Sequence, residues 1–300
     1  MFRIFPSVPI TWRSASCVQF GVDDPVLIDG LVSADVALVE DLQMGIGSAQ
    51  YYSHAQDLGA DLGRASSLIT LLDEAGVMIP DDSDTATVTA GSPLLATGQI
   101  FGLSPDRVAN RLGDVPIMVM GPLKTITEQH LSASGFAVTG QRRVEDLDLL
   151  SSPLVITTSY LVPDLHTATW LTDREVAHCQ VVIGEYSLEA TGLIRPGLTP
   201  CAICACLQKK DADASWLDQY PHIRALPNRE SLADPLSRSL GALNVVQILR
   251  RALLEPDTDP VRRTVSLATG VGTDGPLRFH SRCQCQVPVP HFDLVGEQAQ

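Results

Sequence analysis

Four of the seven cysteines in this 300-residue chain fall in two tight clusters. Cys201 and Cys204 form C-x-x-C within RPGLTPCAICACLQKK, and Cys283 and Cys285 form C-x-C within FHSRCQCQVP near the other end of the chain. Zinc takes four tetrahedral ligands, and four thiolates fill that shell without leaving an open catalytic position. A short spacing lets one turn present two sulfurs to one ion, so two such turns complete a site. We therefore expect a structural Zn²⁺ at Cys201, Cys204, Cys283 and Cys285, which forces the tail to return to the loop around Cys201. Three other readings compete: buried free cysteines, a redox disulfide, and a mixed shell completed by His280. Cys206 is the odd one out. It either replaces Cys204 as a ligand, acts as a reactive thiol, or is a small buried residue beside the site, which is the reading we adopt. Cys17 and Cys179 sit in apolar strand contexts and read as core.

Metal binding also suits the expected setting. No apolar run approaches the roughly 18 residues needed to cross a bilayer. The opening MFRIFPSVPITWR has no continuous apolar segment of the signal-peptide kind. A cytoplasmic, reducing compartment is the expectation, and there clustered cysteines more often hold metal than form disulfides. With 45% hydrophobic residues the chain can build real cores. Its net charge of -14 is concentrated early, where thirteen Asp and Glu face only three Arg in the first ninety residues. Such a surface repels polyanions, so nucleic acid and anionic membrane are poor partners. A peptide or protein with basic character fits better, although charge that merely maintains solubility needs no ligand.

The apolar pattern divides the chain in two. CVQFGVDDPVLI alternates Val18, Phe20 and Val22, turns at Asp23-Asp24-Pro25 and resumes at Val26 and Ile28, a hairpin signal. Helical patterns follow near 33–42, 49–59 and 64–75. The last places Leu68, Leu71, Leu72 and Ala75 together before a Gly76 stop. With a short strand at 77–79 this makes a winged-helix-like α+β module over residues 1–82; an extension packed on the main domain is the plainer alternative. The acidic PDDSDTA at 80–86 reads as a linker. Residues 83–300 then alternate strands (ATVTA, VPIMVM, PLVITTS, HCQVVIGEY) with helices. That order predicts an α/β, Rossmann-like, mostly parallel sheet. A long helix at about 229–253 and a hairpin in TVSLATGVGTDGPLRFH close the chain.

A nucleotide-binding sheet of this type needs G-x-G-x-x-G after its first strand, so that backbone N–H groups can close on phosphate. Here VPIMVM runs into GPLKTI. Gly121 is present, Leu123 and Ile126 stand at the other glycine positions, and Pro122 lacks an N–H. Lys124 remains as a point charge for phosphate or as an ordinary helix-start lysine. Asp164, after PLVITTS, is either a Mg²⁺ ligand or a helix cap. Gly121, Lys124 and Asp164 thus outline a degenerate nucleotide site, and ATP binding is not expected. Walker A, H-E-x-x-H and G-x-S-x-G motifs are absent from the sequence.

RPGLTPCAICACLQKKDADASW resembles the PG-x-[TS]-x-C-x-x-C segment of ThiF-type proteins, in particular the branch known as bacteriocin-biosynthesis cyclodehydratase domains. HSRCQC is similar to that branch's terminal H-P-x-C-x-C, with Ser281 in place of the proline. The motif order matches over roughly residues 180–285. The resemblance implies a Rossmann-like domain with structural zinc at the four cysteines, and a homodimer. It also implies a winged-helix-like unit that binds the leader of a precursor peptide, in partnership with a YcaO-type enzyme that does the chemistry. On this basis the chain is expected to be a non-catalytic scaffold. The alternatives are an ATP-dependent adenylyltransferase, which needs the glycine loop missing here, and a structural homodimeric partner.

Overall fold

In the N-terminal part, the alternation of Val18 and Phe20 produces a half-buried strand. Both side chains are fully buried, and Gln19 between them faces outward. It is the middle strand of an antiparallel sheet made of β1 (Ile10–Ser14), β2 (Cys17–Phe20) and β3 (Val26–Ile28). The computed structural model describes residues 1–80, 93–140, 143–227, 233–255 and 261–286. Two compact units emerge, Met1–Arg111 and Leu112–Gln300. The expected boundary at 82/83, most of the linker and the ATVTA strand lie outside the described residues.

Helices α1 (Ser33–Met44), α2 (Ser48–Asp57) and α3 (Leu62–Glu74) complete the core of the first unit with Phe5, Leu38, Leu42, Tyr51, Leu68 and Leu72. The strand expected at 77–79 is a single antiparallel bridge, Met78 to Ile4. Asp61 caps α3 by accepting from the Arg64 N–H at 3.1 Å. Leu71, expected on the buried face, is half exposed. At about 100° per residue, Ala65, Leu68 and Leu72 centre the apolar stripe and Leu71 falls on its edge. Asp35 is buried at 1% exposure, and the Arg64 guanidinium grips it at 2.6–3.0 Å. The same Arg64 donates to the Gly30 carbonyl at 2.7 Å, tying α3 to the loop after β3. Helices α4 (Pro93–Phe101) and α5 (Pro105–Gly113) follow.

The second unit carries a six-stranded sheet in sequence order: β4 (Ile117–Met120), β5 (Leu154–Tyr160), β6 (Ala177–Ile183), β7 (Ser187–Thr191), β8 (Val261–Ser266) and β9 (Gly272–Pro276). Pairings β4–β5 and β5–β6 are parallel, and the other three are antiparallel. The expected mostly parallel sheet is therefore corrected to a mixed one. After β6 the chain reverses over three residues, closed by the Gly184 N–H on the Ser187 carbonyl at 2.8 Å. A reversal that short permits only an antiparallel return, because a parallel neighbour needs a crossover of a dozen or more residues.

Helices α6 (Lys124–Ala133) and α10 (Pro235–Leu254) pack together on the sheet. Gly241 lets α10 approach closely: a Cβ there would stand 2.6 Å from Leu123 Cδ1. Asp234 caps α10, accepting from Ser237 N–H at 2.7 Å, with Pro235 at the first helical position. The buried face of α10 is Ala242, Val245, Val246 and Leu249, whereas Leu236 and Leu243 are exposed. Helix α7 (Leu165–Asp173) contacts β6 and α8 (Ala202–Ala212), and α9 (Trp216–Arg224) follows.

Candidate metal centre and the turn after the first parallel strand

Cys201 is the N-cap of α8 and Cys204 lies in its first turn, so both sulfurs sit at one end of one helix face. The loop after β9 brings Cys283 and Cys285 opposite them. The Cys201 and Cys283 sulfurs are 3.5 Å apart, as are those of Cys204 and Cys285, and all four lie within 4.8 Å of one another. A tetrahedron with Zn–S of about 2.3 Å has sulfurs about 3.8 Å apart. The spacing therefore fits one four-coordinate ion, and it is far longer than a disulfide bond of about 2.05 Å. Cys201 and Cys204 are buried and Cys283 and Cys285 partly so.

The electrostatics agree. Cys204 is pushed down, because the Cys201 thiol donates to it, with further donation from the His280 backbone N–H at 3.5 Å. Cys201 moves upward as the matching proton holder, and burial lifts Cys285. Four such thiols without a cation resist ionising together; a divalent cation removes the conflict.

The competing ligands do not reach this cluster. The His280 ring places Nε2 2.7 Å from the Asp211 carboxylate and Nδ1 3.1 Å from the Arg282 N–H. Cys206 is buried, and burial lifts its thiol to about 12, as for an inert core residue. Cys179 is buried on β6 and donates to the Thr191 carbonyl, while Cys17 is partly buried.

Gly121, Lys124 and Asp164 lie near the C-terminal ends of β4 and β5 but are engaged separately. Gly121 has φ +88°, and a Cβ on it would stand 1.9 Å from the Thr158 carbonyl oxygen, so only glycine fits. Next to it the Thr158 hydroxyl donates to the Met120 carbonyl at 2.8 Å and accepts from the Leu123 N–H at 3.1 Å. Leu123 is 1% exposed, with its side chain against Gly241 of α10. Lys124 Nζ pairs with Glu128 at 3.0 Å and reaches the Val119 carbonyl at 3.3 Å.

Asp164 caps α7 through Thr167, with Oδ2 2.9 Å from the hydroxyl, and pairs with Arg224 of α9 at 3.0 Å. Burial would raise this carboxyl, yet the hydrogen bonds from Thr167 and Arg224 hold it below the usual range. Tyr220 of α9 locks the same corner, donating to the Pro163 carbonyl at 2.8 Å. Thr158 and Arg224 were missed in the sequence reading, because they act across strands and helices distant in the chain.

No family model matches the sequence, and no curated protein matches it. Solved structures do. The heterocyclase TruD superposes with TM-score 0.67 at 17% identity, covering 94% of this chain and 42% of that one. A heterocyclase in complex with substrate and cofactor gives 0.64 at 18%, covering 94% and 39%. The chain thus spans less than half the length of these heterocyclases. E. coli MccB with AMPCPP and selenomethionine MccA gives 0.62 at 12% identity, covering 94% of this chain and 98% of MccB, which has also been solved with ATP. The chain therefore has the fold shared by the heterocyclase TruD and MccB, the ThiF-like fold that its two cysteine clusters led us to expect.

Proposed function

We propose that this chain is a zinc-stapled, non-catalytic ThiF-like scaffold with a cyclodehydratase-type role, recognising a precursor peptide for a YcaO-type enzyme. The observation that carries the reading is the turn after β4. A phosphate cradle needs free backbone N–H groups. Here Pro122 has none, and the Leu123 N–H is taken by Thr158 while the Leu123 side chain is locked into the core. Zinc at Cys201, Cys204, Cys283 and Cys285 then serves as a staple between α8 and the tail.

Peptide recognition belongs in this proposal to the first unit, read as a winged-helix-like module. Strand β3 is an edge of its sheet, and extended peptides add to such edges. Leu27 on β3 and Leu62 and Leu71 on α3 are exposed, and Arg64 ties α3 to the loop after β3. The acidic surface favours a leader with basic residues. TruD and the substrate-bound heterocyclase support the cyclodehydratase role, and MccB with MccA supports a peptide partner. Homodimerisation and a cytoplasmic setting belong to the same proposal; among the described residues, no helix is long and apolar enough to cross a membrane.

One observation favours a second reading, an ATP-dependent adenylyltransferase. MccB, similar along nearly its whole length, has been solved with ATP. Calorimetric titration with Mg·ATP separates the two. Absence of binding at millimolar ATP supports the scaffold, and saturation at micromolar ATP would overturn it in favour of the enzyme.

A further inference from the structure

Helix α8 presents Cys201, Cys204, Gln208 and Asp211 at a spacing of three, four and three residues, a single stripe along one face. Every member of that stripe holds the segment 278–285. Cys201 and Cys204 face Cys283 and Cys285. One turn further on, Gln208 Nε2 donates to the Arg278 carbonyl at 2.7 Å. At the far end the two oxygens of Asp211 divide their partners: Oδ2 meets His280 Nε2 at 2.7 Å, and Oδ1 meets Arg282 Nη2 at 2.5 Å. The Arg282 N–H donates to His280 Nδ1, so Nε2 carries the hydrogen given to the carboxylate. The His280 side chain is only 8% exposed, held between this carboxylate and the chain, and its own backbone N–H points at the Cys204 sulfur.

We propose that Asp211 is a positioning residue for the metal centre, holding the His280–Arg282 turn on α8 so that Cys283 and Cys285 face Cys201 and Cys204 before any ion binds. The proposal rests on the metal reading above. None of the latch contacts uses a thiol of the cluster or needs the ion, so the tail is held by two devices in parallel. Without the latch the metal must gather a loose loop, and the ordering entropy weakens its binding. Groups that orient metal ligands typically account for about 10–100-fold in affinity.

The test uses the full chain, stripped with chelator under reducing conditions and titrated with Co²⁺. The thiolate-to-cobalt charge-transfer band reports the shell, and competition with a zinc chelator reports affinity. Asp211→Ala should weaken Zn²⁺ about 10–100-fold while the tetrahedral cobalt spectrum at saturation is unchanged. Asp218→Ala, the same charge change on exposed α9, should leave affinity as in the wild type. Arg282→Ala, which removes one of the two partners of the Asp211 carboxylate, should give an intermediate loss and serves if Asp211→Ala does not fold. In the metal-free protein, amide exchange over 278–286 should be slow in the wild type and fast in Asp211→Ala. Equal affinities, or equally fast exchange in both metal-free proteins, would overturn the latch. A wild type that binds no cobalt would instead overturn the metal reading, and the latch with it.

Discussion

Thr158→Val tests whether the turn after β4 is a structural lock. The exchange keeps the side chain's shape, so no cavity opens, and only the hydroxyl is lost. Two bonds go with it: the 3.1 Å acceptance from the Leu123 N–H and the 2.8 Å donation to the Met120 carbonyl. The Leu123 amide lies in a buried contact and has no water to turn to. Leaving a buried donor unpaired costs about 1–3 kcal/mol, and the partly exposed Met120 carbonyl adds less, so the expected loss is about 2–3 kcal/mol. For a unit of this size, roughly 2–4 °C per kcal/mol translates this into a fall in Tm of about 4–12 °C. Thr158→Ser keeps the hydroxyl and should lose much less. Thermal and urea unfolding of the zinc-loaded chain, followed by circular dichroism, measure both variants. A Thr158→Val protein as stable as the wild type would refute the lock, since the Leu123 amide would then have been satisfied in another way.

Other consequences follow from the same contacts. Gly241→Ala places a methyl 2.6 Å from Leu123 Cδ1 and should destabilise by about 1–3 kcal/mol through overpacking, measured by urea midpoint. Elemental analysis should find one zinc per chain, and Cys204→Ser or Cys283→Ser should abolish stoichiometric binding and lower the melting temperature. The Asp35 carboxyl is opposed by burial but held below 3.8 by the hydrogen bonds from Arg64 and Val32. Its contribution is thus fully present above about pH 4 and is lost as pH falls through the lower folded-state value. An acid titration of stability should show that loss in the wild type, and Asp35→Asn should flatten it. Leu71→Ala, at a half-exposed position, should change stability by less than about 0.5 kcal/mol. If α3 lines the peptide groove, the same variant should weaken binding of a basic leader peptide by fluorescence anisotropy.

Much of the architecture was legible because it rests on local rules. Alternation marked β2 through Val18 and Phe20. An amphipathic pattern at about 229–253 marked α10, which starts at Pro235, and the paired cysteine spacings marked the four-cysteine cluster together with the return of the tail. The loss of Leu123 and Ile126 as glycines marked the turn after β4 as irregular. Even the stripe from Cys201 to Asp211 was present as a helical spacing. It is not distinguishable there, because AICACLQKKDA carries no clear apolar period that would mark the segment as a helix.

Only the tertiary structure decided three matters. It showed that β7, β8 and β9 extend the sheet antiparallel, which depends on a three-residue reversal whose neighbours come from far along the chain. It showed that the turn is closed by Thr158 from the adjacent strand, and that Asp164 is committed to Thr167 and Arg224. It also set Gln208 and Asp211 against residues 278–282. The physical reason is common to all three. Periodicity, caps and ligand spacing are interactions between residues a few positions apart, which a sequence displays directly. A hydrogen bond across tens of residues exists only once packing has brought its partners together.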